Sequence, residues 1–81
     1  MKADYSRRAG KTLRTLPPDV RKALFKQVRF LQQDLHHPSL HAKKYDEGQD
    51  LWQARVNKDW RFYFHIENDI YYIVDIIPHP K

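Results

Sequence analysis

Eighty-one residues make one domain, too short to divide into two cores. With 41% hydrophobic and 14% aromatic residues the chain is too apolar for a disordered tail, yet no apolar run reaches the roughly 20 residues that a membrane helix needs. The absence of cysteine removes disulfides, cysteine–zinc sites and thiol nucleophiles, and two glycines cannot build a glycine-rich phosphate loop, so no cofactor is expected.

The net charge of +5 is unevenly spread. Residues 1–44 carry eleven Lys/Arg and three Asp/Glu, a balance of +8, whereas residues 45–81 carry four and seven, a balance of −3. A basic half of this kind suits an anionic partner, although charge also serves to keep a small domain in solution. No apolar stretch follows Met1, so no secretory signal is expected and the location expected is cytoplasmic.

In chain order, residues 2–5 read as a short edge strand. Ser6 is an N-cap candidate for a first helix running to about Leu16, with Ala9, Leu13 and Leu16 on one stripe. Pro17-Pro18 ends that helix and suits the first turn of the next, where Asp19 sits near the positive end of the helix dipole. The second helix is expected over residues 18–35, with Val20, Leu24, Val28, Leu31 and Leu35 forming one continuous stripe. Two adjacent amphipathic helices joined this tightly form a hairpin. Residues 38–50 are polar and read as a loop. His36, His37 and His41 near its start do not have the spacing of a zinc site, so no metal is expected.

The period then changes from 3.6 to 2. Residues 51–56, 60–66 and 70–77 read as three strands of an antiparallel meander, separated by short turn-like gaps. Placing Arg55 opposite Arg61 and Ile66 opposite Ile70 collects Trp52, Ala54, Val56, Trp60, Phe62, Phe64, Ile66, Ile70, Tyr72, Val74 and Ile76 on one face, to cover the helices. The other face then holds Gln53, Arg55, Arg61, Tyr63, His65, Tyr71, Ile73, Asp75 and Ile77, with His79 just beyond. Like charges directly opposed in a sheet are destabilising. Asp75, expected opposite Arg61, would compensate one arginine and leave the other free for a phosphate. Arginines that hold phosphate, tyrosines that stack on bases and a histidine that moves a proton at neutral pH are the parts of a metal-free RNA cleavage site.

Several segments together resemble the RelE/ParE superfamily of bacterial toxins from type II toxin–antitoxin modules. Leu16-Pro17-Pro18-Asp19-Val20 is similar to the family's helix-joining segment. Leu51-Trp52-Gln53-Ala54-Arg55-Val56, followed by Asp59-Trp60-Arg61-Phe62-Tyr63-Phe64, resembles its paired-strand signature, and Ile77-Pro78-His79 resembles its closing segment. The resemblance covers nearly all of residues 1–81 and implies an α+β fold: a two-helix hairpin packed on one face of a small antiparallel sheet. It implies a ribosome-dependent mRNA endonuclease that cuts without metal, with Arg55, Arg61 and His79 catalytic. Lys43 and Lys44 match basics that contact RNA, and Gln53, Tyr63, His65 and Tyr71 complete the expected RNA-binding face. His65 is the alternative to His79 for proton transfer. The implied partners are a cognate antitoxin, mRNA and the ribosomal A site, with no membrane. Gln53 stands where some of these nucleases carry a lysine, and Pro78 and Pro80 flank His79. Two other readings share the fold: a ParE-like gyrase inhibitor without nuclease activity, and a nontoxic module that binds RNA or protein.

Overall fold

The computed structural model describes residues 1–79; Pro80 and Lys81 lie outside them. The elements are β1 (Lys2–Tyr5), α1 (Arg7–Thr15), α2 (Pro18–Gln33), a single 3₁₀ turn (Pro38–Leu40), β2 (Lys43–Asp46), β3 (Leu51–Arg55), β4 (Trp60–Glu67) and β5 (Ile70–Pro78). The sheet has five strands in the order β1-β5-β4-β3-β2, antiparallel except where β1 runs parallel to β5.

The helical hairpin forms for the reasons visible in its residues. The Ser6 hydroxyl accepts from the Ala9 amide at 3.1 Å, an N-cap worth about 1 kcal/mol. Pro18 starts α2 at a position where its missing N–H costs nothing. Ala9, Leu16, Val20, Leu24, Val28 and Leu31 are all buried, and they meet Ala54, Phe62, Phe64, Ile73 and Ile76 of the sheet in one core. Leu35 packs at the margin of that core, two residues past the end of α2.

Two expectations are corrected. Residues 38–50 are not a plain loop: they contain the 3₁₀ turn and the edge strand β2, paired with β3 through Lys43 opposite Gln53 and Lys44 opposite Trp52. With β2 the sheet has five strands, and the parallel pairing of β1 with β5 makes it mixed.

The second correction concerns β5. Arg55 does oppose Arg61, and Ala54 opposes Phe62. The β4–β5 hairpin, however, closes on two residues instead of three, with Glu67 opposite Ile70. Asn68 and Asp69 both have positive φ, 47° and 65°, the signature of a type I′ turn whose twist matches the strands. Tyr71 and Ile73 consequently point into the core instead of onto the open face. A bulge at Val74 then restores the other parity. Phe64 faces Ile73 and Tyr63 faces Asp75, so β5 has one residue more than β4 in that interval. The bulge is held from outside the sheet: the Ser6 hydroxyl donates to the Val74 carbonyl at 3.2 Å, and the Ser6 amide donates to the Ile73 carbonyl at 2.9 Å.

A cationic cleft as the candidate functional site

The face of the sheet turned away from the helices carries the candidate site. Arg55 on β3 and Arg61 on β4 are direct cross-strand neighbours. With His41, Lys43, Gln53 and His79 they line a cleft of about 410 Å³. The three permanent cations share it with no carboxylate lining, and neither arginine forms an ion pair among the described residues. Asp75 does not compensate them. The register correction puts it opposite Tyr63, and its carboxylate lies 3.7 Å from Arg8 instead.

Each member of the cleft is positioned by the fold. Arg61 donates through Nη1 to the carbonyls of Asn57 (2.7 Å) and Trp60 (2.9 Å), which fixes the guanidinium against the β3–β4 turn. Burial, and then the neighbouring charge of Arg55, push the Arg61 pKa below its ordinary value. Both causes penalise the cation, and the opposite charge of a bound anion would offset them. The Nε of Arg55 is buried without a hydrogen-bond partner among the described residues. His79 follows β5, and its amide donates to the Asp59 carbonyl at 2.7 Å, which fastens the backbone there to the β3–β4 turn.

Below the cleft, Gln27 of α2 is a buried polar side chain, 6% exposed. Its Nε2 donates to the Arg55 carbonyl (2.9 Å) and the Ser39 carbonyl (3.1 Å), and its Oε1 accepts from the Ser39 hydroxyl (3.2 Å). One amide therefore ties the strand bearing Arg55 to the 3₁₀ turn that leads into His41 and Lys43. The same turn is capped by His37, whose Nδ1 accepts from the Ser39 amide at 3.2 Å while its ring stacks on Phe30 at 4.0 Å.

Of the residues expected in the site, Arg55, Arg61, His79, Lys43 and Gln53 meet in the cleft. The others do not. Lys44 is on the opposite face of β2, over the Trp52 ring at 5.1 Å and paired with Asp50. That hydrogen bond raises the Lys44 pKa and lowers that of Asp50. Tyr71 is 4% exposed and meets Phe64 edge-on in the core. Tyr63 faces the open side but is only 8% exposed, because Tyr45 stands edge-on over it at 5.0 Å; its hydroxyl accepts from Gln53 Nε2 at 2.8 Å. His65 lies on β4 four residues from Arg61, about 13 Å along the strand, in a separate hollow with Gln49, Asp50 and Glu67. Its Nδ1–H donates to the Asp50 carbonyl at 3.0 Å. His41 was not expected. It ends the 3₁₀ turn in the left-handed conformation (φ 47°) and lines the cleft, a placement hidden as long as residues 38–50 read as a featureless loop. The described residues contain no group of three or more His, Cys, Asp or Glu able to hold a metal, and no helix among them is long and apolar enough to cross a membrane.

No protein-family model and no curated protein sequence matches the chain. Solved structures do. A YoeB/ParE toxin from Agrobacterium tumefaciens superposes with a TM-score of 0.82 at 9% identity, over 99% of this chain and 100% of that one. The archaeal RelE–RelB complex from Pyrococcus horikoshii gives 0.79 at 17% identity, over 95% of this chain and 92% of that one. The intact RelBE toxin–antitoxin complex from E. coli gives 0.76 at 15% identity, over 99% and 98%. The cationic cleft thus sits on the RelE/ParE toxin fold, which this chain shares over nearly all of its length with those structures.

Proposed function

We propose that the protein is the toxin of a toxin–antitoxin pair and a ribosome-dependent mRNA endonuclease. One observation carries the reading: Arg55 and Arg61 are juxtaposed across two strands, in a cleft that also holds imidazoles and no acid. Neither arginine forms an ion pair among the described residues, which leaves both able to take an anion from outside. A phosphodiester fits the pair, since each guanidinium offers a planar fork of donors to phosphate oxygens.

In this mechanism the scissile phosphate sits between Arg55 and Arg61. An imidazole takes the proton of the adjacent 2′-hydroxyl, O2′ attacks phosphorus, and the P–O5′ bond breaks. A second group returns a proton to O5′, leaving a 2′,3′-cyclic phosphate and a free 5′-hydroxyl. His79 takes one proton-transfer role, and His41 is the imidazole that shares the cleft with it. The arginines stabilise the charge that accumulates on the phosphorane oxygens. The implied partners are mRNA in the ribosomal A site and an antitoxin that covers this face. The E. coli and Pyrococcus structures, described as toxin–antitoxin and RelE–RelB complexes, support the antitoxin.

Primer extension on a reporter mRNA, with and without ribosomes, tests the reading. New 5′ ends inside codons are expected only with ribosomes. His79→Ala should lower the cleavage rate roughly 10²- to 10⁴-fold, the usual worth of a positioned acid or base. Arg61→Ala should cost about 10²- to 10³-fold as a lost charge stabiliser while the circular dichroism spectrum stays unchanged. No cleavage under either condition, together with poisoning of DNA gyrase in a supercoiling assay, would replace this reading with the gyrase-inhibitor alternative.

A further inference from the structure

A second hollow adjoins the cationic cleft on the same open face. It measures about 550 Å³, and its lining includes Tyr45, Gln49, Tyr63, Val74, Asp75 and Ile77. Tyr45 is the exposed aromatic of the pair at its edge: it is 59% exposed and lies in the irregular interval of β2 between the Lys44 and Asp46 pairings. A bulge re-aims a side chain, and here it stands Tyr45 up on the open face, edge-on to Tyr63.

The backbones of Tyr45 on β2 and Asp75 on β5 are three strand spacings apart, about 14 Å, but the Tyr45 ring reaches to 5.0 Å from that of Tyr63, the direct cross-strand neighbour of Asp75. Between these walls the floor is apolar, made by Tyr63 and Ile77 with Val74 at the bulge. The far wall is a carboxylate: Asp75 accepts from the Ile76 amide through Oδ1 at 3.0 Å, and its Oδ2 faces Arg8 across 3.7 Å, too long for a hydrogen bond. Oδ2 is therefore an acceptor with capacity to spare. The two hollows are joined through the Gln53–Tyr63 hydrogen bond, and Arg61 and Tyr63 are two residues apart on one face of β4.

We infer that this hollow is a nucleobase subsite, in which a base next to the phosphate held by Arg55 and Arg61 stacks on Tyr45 and presents an exocyclic amino group to Asp75. The inference rests on the RNA reading of the cleft and adds base selectivity to it. A carboxylate accepts from amino groups and repels carbonyl edges, so guanine, which offers N1–H and the 2-amino group side by side, is preferred over inosine, which lacks that amino group.

The probe is an uncleavable 2′-O-methyl RNA oligonucleotide bearing a terminal dye and one 2-aminopurine, with guanine- and inosine-containing counterparts. Binding is read by anisotropy, and stacking by quenching of the 2-aminopurine. The wild type should bind, quench the fluorescence and prefer guanine to inosine. Tyr45→Ala should weaken binding roughly five- to a hundredfold and abolish quenching, whereas Tyr45→Trp should restore both. Asp75→Asn should erase the preference for guanine over inosine without weakening the inosine oligonucleotide. Full affinity and quenching in Tyr45→Ala, or an unchanged base preference in Asp75→Asn, would overturn the subsite while leaving the RNA cleft intact. Wild-type protein that neither binds the oligonucleotide nor cleaves on ribosomes would overturn the cleft reading and the subsite together.

Discussion

Arg55 and Arg61 show how far a single position can be read from sequence. Their opposition across β3 and β4 followed from the short turn between two strongly alternating segments, and the structure has that pairing. The partner assigned to Arg61 did not follow, because that assignment depended on the register of a different strand. Gln27 was invisible as a site residue. In α2 it is one more polar letter in an amphipathic helix, and only the folded chain shows its amide bonded to the carbonyls of Arg55 and Ser39. Gln27→Leu keeps the volume and strips those bonds from buried acceptors, which should cost about 1–3 kcal/mol in urea denaturation. Because the same bonds set the spacing between Arg55 and the approach to His41, oligonucleotide affinity should fall as well. Unchanged affinity at reduced stability would assign Gln27 to stability alone.

At the scale of elements, the strands with clear alternation were legible and the others were not. β3 and β4 alternate apolar with polar residues, so their faces could be assigned. β5 reads Ile-Tyr-Tyr-Ile-Val-Asp-Ile-Ile, apolar at both parities, and its face depends on the hairpin length and on the bulge at Val74. β2, with the sequence Lys-Lys-Tyr-Asp, has no apolar alternation at all. Charged, lysine-rich edges of this kind keep a sheet from pairing further, and the same charge hides the strand from a pattern search. The type I′ turn offers a direct test. Asp69 holds φ at 65°, a conformation that costs a residue with a side chain about 1 kcal/mol relative to glycine. Asp69→Gly should therefore raise stability by about 1 kcal/mol and the melting temperature by roughly 4–8 °C, read in a thermal scan. An unchanged or lower melting temperature would mean that Asp69 incurs no net cost for its left-handed conformation.

For the whole molecule, the hairpin-on-sheet architecture was readable because the period of the apolar residues changes once, near the middle, and each half buries one face. The parallel docking of β1 was not readable, since four residues carry no sign of which edge they join. Burial raises the pKa of Tyr5, and that of Tyr71 with a smaller contribution from Asp34. In the unfolded chain these phenols lose their protons near pH 10, while the folded chain retains them. Their contribution to stability is complete below about pH 10 and is lost as the pH rises through the folded values. Phenolate absorbance during an alkaline titration should show both ionising late, together with the onset of unfolding. Replacing Tyr71 with Phe should leave Tyr5 as the remaining late-titrating group of the two. Two tyrosines with ordinary titration in the native protein would contradict their burial.

The pairing of β1 with β5 joins residues from opposite ends of the described chain, and the cleft draws on β2, β3, β4 and the residue after β5. While the protein is being synthesised, the pairing waits for residues 70–73 and the cleft for His79 to leave the exit tunnel. The helical hairpin emerges early and waits with its apolar stripe uncovered. If the cleft cuts mRNA, a nascent chain has no cutting site until His79 is free to complete it.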